Sequence, residues 1–472
     1  MILSQSSCCF IIIIYVERRF FMAQIKENKM GVAPMLPLIF SMSLPAMFSM
    51  LIQSLYNVVD SIFVSKLSEK SLTSITLAFP IQILIISIAV GTAIGLNSYI
   101  SRKLGEQKQE DANQAATHGI YLAVMSSILF LLIGFFAVKP FVSGFTSDPE
   151  IFHQATSYLQ IVTTCSIFVF LEINFEKTLQ GTGNMMYPML FQLTGAVTNI
   201  LLDPILIFGL FGAPKLGVSG AAIATIIGQG LAFLFSFYII YTKEHDVHIS
   251  IKKYSFNWNT VKEIYIVGFP SMMMQSIAAI LIGGLNAILI SFSSAAVSIL
   301  GIYFRLQSFV FMPVFGLTQG LMPIIGYNYG ARNKERMLHA LKYGIYIALF
   351  IMTIGMIIFW SIPQLLLSLF HASDEMLSIG VPALRIISIS FPIASIGVLL
   401  SCFFQALGIG KYSLYVSFMR QLLIILPLAY ILSKISTLNA VWSAFWIAEL
   451  IATVNSILIF KQLYDKKIKY LS

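Results

Sequence analysis

Apolar stretches longer than about 20 residues recur along this chain from Pro34 to Phe460, and each is long enough to cross a ~30 Å hydrocarbon core as a helix. Only helices and closed barrels satisfy the backbone inside a bilayer. A barrel would need alternating segments of about 10 residues, and these runs are long and unbroken. The chain of 472 residues is 58% hydrophobic and 10% charged, against about 25% charged in a soluble domain. Length alone would suggest several soluble domains, and this composition overrides that. The reading is a multi-pass, all-α membrane protein. Twelve spans are expected near 34–61, 71–100, 113–139, 150–179, 184–211, 216–241, 260–291, 295–328, 337–361, 374–407, 411–433 and 437–461. The links carry turn residues, as in "LQGTGN" and "ALGIGK".

Orientation follows from Lys and Arg. They gather at both termini and on the loops after even-numbered spans, for example Arg102, Lys103, Arg332, Arg336, Lys466 and Lys467. The opposite loops hold only Lys66, Lys70, Lys139, Lys215 and Lys434. That bias predicts a plasma-membrane protein with both termini in the cytoplasm. It also accounts for the net charge of +9, as basic loops facing anionic membrane lipid. No nucleic-acid partner is needed. "CCFIIIIYV" near the N-terminus is too short to span and is a poor signal peptide, so Met22 or Met30 is an alternative first residue. Cys8, Cys9, Cys165 and Cys402 lack ligand or framework spacing and read as free thiols.

The chain repeats itself. Shifted by about 225 residues, Pro45 falls on Pro270, Gly105 on Gly330, Gly119-Ile120-Tyr121 on Gly344-Ile345-Tyr346, and Phe145 on Phe370. Two residues more pair "GTG" at 181–183 with "GIG" at 408–410. An even number of spans per repeat makes the halves parallel. The predicted fold is therefore twelve transmembrane helices in two parallel six-helix bundles, with a transport pathway between them. The units are an N-terminal tail (1–33), a first bundle (34–241), a cytoplasmic linker (242–259), a second bundle (260–461) and a C-terminal tail (462–472).

Charges inside spans cost at least ~2.5 kcal/mol at mid-bilayer and should face a cavity, a partner or an ion. The first half carries Asp60, Glu172, Glu176, Lys177 and Asp203; the second carries Arg305, Arg385, Arg420 and Glu449. For Lys177 and the three arginines an internal salt bridge or a snorkelling chain suffices, with Glu449 available to pair with one arginine. The acids of the first half are different. Asn199 and Asp203 are four apart on one helix face, and Pro204 loosens the helix beside them. Glu172 and Glu176 share a face of span 4. Asp60 aligns, within one residue, with Asn286 in the second half, so the scaffold does not need a carboxylate there. Crowded carboxylates in a low dielectric need a proton or a cation. Asp60, Asn199 and Asp203 thus form a candidate proton site, or a Na⁺ site of hard oxygen ligands.

"LYNVVDSIFVSKL", "LQGTGN", "TNILLDPILIFG", "LGVSGAAIAT" and "PIIGYNYGARN" together resemble the multidrug and toxic compound extrusion (MATE) family, over about residues 34–461. The resemblance implies a V-shaped pair of bundles around a large cavity, and drug/cation antiport by rocking between inward-open and outward-open states. It implies a prokaryotic-type cation site of Asp60, Asn199, Asp203 and Thr225, and helix bending at Pro45. Glu176 best matches an acidic substrate-site residue, with Glu172 and Asp203 beside it. Glu449 lies in no span 7 motif, which disfavours the eukaryotic type.

The expected activity is secondary active export of lipophilic organic cations against Na⁺ or H⁺, by a monomer with no cofactor beyond the coupling ion. Cation and drug would oppose each other through one negative cavity. The alternative is a lipid-linked precursor flippase of the same superfamily, which would need a basic cavity; Arg305 and Arg385 keep it open. A channel would need matched rings of like residues, which the two halves lack. No zinc motif, nucleophile elbow or P-loop is present, so no enzyme is expected.

Overall fold

The computed structural model describes residues 28–65, 67–250, 254–370 and 372–471; of Asn57, Val58, Asp60, Ser61, Ile62, Val64, Ser65 and Glu69 it describes only the backbone. Calls on residues 1–27, Met22, Cys8 and Cys9 among them, lie outside the described residues. Among the described residues there is no strand. Ten helices are long and apolar enough to span, and two further spans are bent pairs. In the first bundle these are α1 (Met35–Ser65), α2 (Glu69–Gly105), α3 (Gln109–Phe136), α4 (Pro149–Thr164 and Ile167–Gly181), α5 (Met186–Phe208) and α6 (Val218–Thr242). In the second they are α7 (Trp258–Leu289), α8 (Ser294–Gly330), α9 (Lys334–Ser361), α10 (Asp374–Ser388 and Ser390–Ala406), α11 (Gly410–Ile435) and α12 (Leu438–Lys466).

The expected continuous spans 4 and 10 are instead bent, by 46° and 45°. Both breaks fall at the same place in the repeat. Thr163 and Thr164 bond back to the carbonyls of Leu159 and Gln160 (2.6 Å each), and Ser388 and Ser390 bond to those of Arg385 and Ile387. Hydroxyls that bond back to the preceding turn bend helices. The caps repeat as well. Ser68 and Ser293 cap α2 and α8, and Asp148 and Ser373 cap α4 and α10, each pair 225 apart.

The repeat is also visible where the bundles meet. A Cβ on Gly105 would strike the Tyr327 carbonyl, and one on Gly330 would strike the Arg102 carbonyl. Shifting the first contact by 225 gives the second. Likewise Gly91 faces Met272 and Gly316 faces Met47. These reciprocal pairs mark a pseudo-twofold axis between the bundles. Glycine is required there because backbone meets backbone. The contacts gather at the face where the described chain begins and ends, the terminus-bearing face: α2 packs on α7 and α8, and α1 on α8.

The expected tail is partly structured. A short helix, Lys29–Val32, follows the Asn28 cap, and Met30 is fully buried. Asn328 Nδ2 donates to the Met30 carbonyl (3.0 Å), and Arg336 donates to that of Ala33 (2.7 Å). Buried apolar surface and satisfied carbonyls hold this segment across the second bundle. The linker lies along α3. His248 N–H donates to Asn113 Oδ1 (2.8 Å), Asn257 N–H to His118 Nε2 (2.9 Å), and Tyr254 stacks on Tyr121.

Candidate functional site: a buried carboxylate–amide pair in the first bundle

Small residues bring α5 and α6 together. A Cβ on Gly228 would lie 2.8 Å from the Gly195 carbonyl oxygen, and one on Gly220 would strike that of Leu206. This crossing sets Asn199 and Asp203 of α5 against Thr225 of α6. Asp203 is 0% exposed and Asn199 3%. The Asn199 amide has one atom 2.7 Å from Asp203 Oδ2 and the other 3.1 Å from Thr225 Oγ1. Two arrangements satisfy these groups. With Asp203 ionised, the amide nitrogen donates to its carboxylate, and the amide oxygen accepts from the Thr225 backbone N–H (3.1 Å). With Asp203 protonated, its O–H donates to the amide oxygen. The amide nitrogen then donates to Thr225 Oγ1, whose hydroxyl donates to the Ala221 carbonyl (3.0 Å). The two arrangements differ by one proton and by the exchange of O and N in the same amide plane.

Pro204 lies inside α5, as the sequence suggests, and α5 ends one turn later at Gly209 with φ 77°. Pro45 lies inside α1. The Asp60 backbone belongs to the α1 helix, which packs on α5, but the Asp60 side chain lies outside the described residues.

The other first-half acids sit at the terminus-bearing end of α4. Glu176 and Lys177, 3% and 6% exposed, form an ion pair of 2.8 Å. Gln180 and Gln192 also donate to the Glu176 carboxylate, at 2.7 and 3.0 Å. Glu176 therefore has its charge met within the chain, which a count of charges by span does not show. Glu172, one turn away and 8% exposed, has no hydrogen bond among the described residues. Gln180, Gln192 and Gln319 are amides inside apolar runs, a signal that charge alone does not carry.

In the second bundle Arg420 Nη1 reaches both oxygens of Glu449 at 3.1 Å. Arg385 Nε donates to the Trp360 carbonyl (3.3 Å), while the Trp360 indole donates to the Arg385 carbonyl (3.0 Å). Arg305 is exposed. A basic cavity for a lipid-linked pyrophosphate is therefore not favoured. Among the described residues no cluster of three or more His, Cys, Asp or Glu could hold a metal.

The MatE family model matches the chain twice, over residues 45–205 and 270–431, one match per bundle. The chain belongs to the MATE family. Multidrug export protein MepA of Staphylococcus aureus (strain MSSA476) is 27% identical over 436 residues, 92% of this chain and 95% of the relative. MepA of Staphylococcus saprophyticus is 26% identical over 425 residues, 90% and 93% of the two chains. A solved structure described as the outward-facing conformation of a multidrug resistance MATE family transporter of the MOP superfamily has a TM-score of 0.89 at 27% identity, covering 94% of this chain and 98% of that one. This MATE chain is a multi-pass efflux transporter of two six-helix bundles, and the double match is the family's own statement of the repeat.

Proposed function

We propose that this MATE transporter exports lipophilic organic cations in exchange for protons, with 34–241 and 260–461 rocking as units about the pseudo-twofold axis. The coupling reading is carried by one observation: the 2.7 Å separation between the Asn199 amide and Asp203 Oδ2. That gap accommodates a proton. A hydrogen bond already fills it, whereas a hard cation at about 2.3–2.6 Å from each ligand would have to sit to one side of the pair and recruit further oxygens. Asp60 is assigned as the third member of the set, since α1 packs on α5, and Thr225 as the hydroxyl that completes the protonated arrangement.

The Lys and Arg bias supports placing the termini, and with them the closed face, in the cytoplasm of a plasma-membrane protein. The likeness to an outward-facing MATE structure agrees with closure on that side. The transporter would then await a proton from outside, binding at Asp203 and Asp60. The names of the MepA relatives support a broad drug range. Glu172 is the acid in α4 best suited to meet a substrate's charge, since Glu176 is held by Lys177. The coupling ion is the only cofactor, and the protein works as a monomer.

The test is ethidium accumulation by everted membrane vesicles under a lumen-acid pH gradient or a Na⁺ gradient alone. Proton-driven accumulation, lost in Asp60→Asn, is expected. Accumulation driven only by Na⁺ would overturn the proton reading, and a normally active D60N would remove Asp60 from the coupling set.

A further inference from the structure

Lys177 holds three acceptors. Its ammonium lies 2.8 Å from Glu176 Oε1, 2.9 Å from Gln180 Oε1 and 2.8 Å from Gln319 Oε1. Those three bonds use all three of its N–H groups. Two acceptors belong to α4 of the first bundle; the third belongs to α8 of the second. Gln180 Nε2 also reaches Gln319 Oε1 (3.2 Å), and Gln319 Nε2 points to Met50 Sδ (3.4 Å) on α1. A buried charge is thus fully satisfied only while the two bundles touch at the terminus-bearing face.

The mirror image of this contact carries no charge. Under the 225-residue shift Lys177 corresponds to Cys402 and Gln319 to Ile94. The helix ends follow this shift rather than the longer one that pairs "GTG" with "GIG": Gly183 and Gly408 share a positive φ, and the N–H groups of Asn184 and Ile409 donate to the carbonyls of Leu179 and Phe404. Cys402 is buried, 4% exposed, and Ile94 packs against the cluster that contains it. The scaffold therefore joins its bundles at this position without charge on one side of the axis. The lysine, with its amide across the gap, is an addition on the other side.

We propose that Lys177 is an inter-bundle latch, a resident cation whose bond to Gln319 holds the terminus-bearing face closed while its bond to Glu176 keeps that carboxylate from organic cations. Opening the face strips the ammonium of Gln319 and weakens its hold on Glu176. A substrate cation arriving through the open face can then compete for Glu176, and the latch cannot re-form around it until that cation leaves. The latch stands without the organic-cation reading; only its link to substrate rests on it.

The experiment places spin labels at Glu110 and Glu335, exposed first-turn residues of α3 and α9 that the repeat relates. The full chain is used, in lipid, without substrate or ion gradient, so the readout is independent of transport. Lys177→Met and Gln319→Leu should each raise the ratio of open to closed distances roughly tenfold or more, the loss of one hydrogen bond to a charged group. The double variant should open no further than K177M. Gln319→Glu at pH 8 should shift the ratio the other way, because a second carboxylate tightens on the ammonium. Q319L leaves Lys177 paired with Glu176 and strands no charge, so it remains informative if K177M folds poorly. Unchanged distances in both Q319L and Q319E overturn the latch. Opening in K177M without opening in Q319L also overturns it, since Lys177 would then act within its own bundle alone.

Discussion

The α5–α6 pair and the α11–α12 pair occupy equivalent places in the two bundles, yet they treat polar groups in opposite ways. Asn199, Asp203 and Thr225 can be paired with or without one proton, by turning over one amide. Arg420 and Glu449 form an arrangement that is complete only when both are charged. Arg420 also lies in a π-helical segment, Met419–Ile425, that widens α11 where α5 stays α-helical up to its proline. One bundle holds a switch and the other a brace. The duplicated scaffold accepts either, so the fold does not depend on which polar arrangement the pair carries.

The widest separation should come from removing one carboxylate on each side. Asp203→Asn cannot change its charge, so proton-driven ethidium transport should fall by about 5–150-fold, the usual range of a coupling energy, while the protein stays folded. Glu449→Gln should do the reverse. It strands Arg420, and breaking a buried pair costs about 3–5 kcal/mol; the low end is expected because the Arg420 side chain is 26% exposed. Melting of the purified protein would drop, and the pH dependence of transport would stay where it was. A D203N protein that pumps normally, or an E449Q protein with a shifted pH profile, would erase the contrast.

Much of this division was legible in the sequence. The repeat, the twelve spans and the Asn199–Asp203 pair follow from periodicity, matched landmarks and a four-residue spacing on one face. The pairing of Glu449 with an arginine was open to inference, but choosing Arg420 required the helices in place. Other features were hidden because they depend on two distant segments. Glu176 looks like a free acid until Lys177 and Gln180 turn toward it. Gln319 looks like an ordinary amide in "FGLTQGLMP" until α8 meets α4. The bends in α4 and α10 come from hydroxyls bonding back to carbonyls, and the same hydroxyls sit in unbent helices elsewhere.

A second test asks whether the bundles are equivalent where their chemistry does not differ. Gly105→Ala and Gly330→Ala each push a methyl into a carbonyl across the pseudo-twofold axis, that of Tyr327 or Arg102. Overpacking of this kind costs about 1–3 kcal/mol, and the contact is closed on the terminus-bearing face. Both variants should lower the melting temperature by similar amounts and loosen that face alike. If one is silent and the other severe, the close approach is not shared, and the axis is only approximate there.

The smallest effect is the most diagnostic of how the switch turns. Thr225→Val removes the hydroxyl that accepts the Asn199 amide nitrogen when Asp203 is protonated. It leaves the backbone N–H that serves the amide oxygen when Asp203 is ionised. The ionised arrangement also loses a hydroxyl contact to the amide oxygen (3.1 Å) but keeps the N–H, so the protonated arrangement is weakened more, by about 1 kcal/mol for its one hydrogen bond. Proton binding then needs more protons, so the pH midpoint of ethidium transport should move down, by less than about one unit at 1.36 kcal/mol per unit. Thr225→Ser should restore it, because the hydroxyl returns. A midpoint that rises in T225V would mean the hydroxyl serves the ionised form, and one that does not move would mean the amide keeps a single orientation through the cycle.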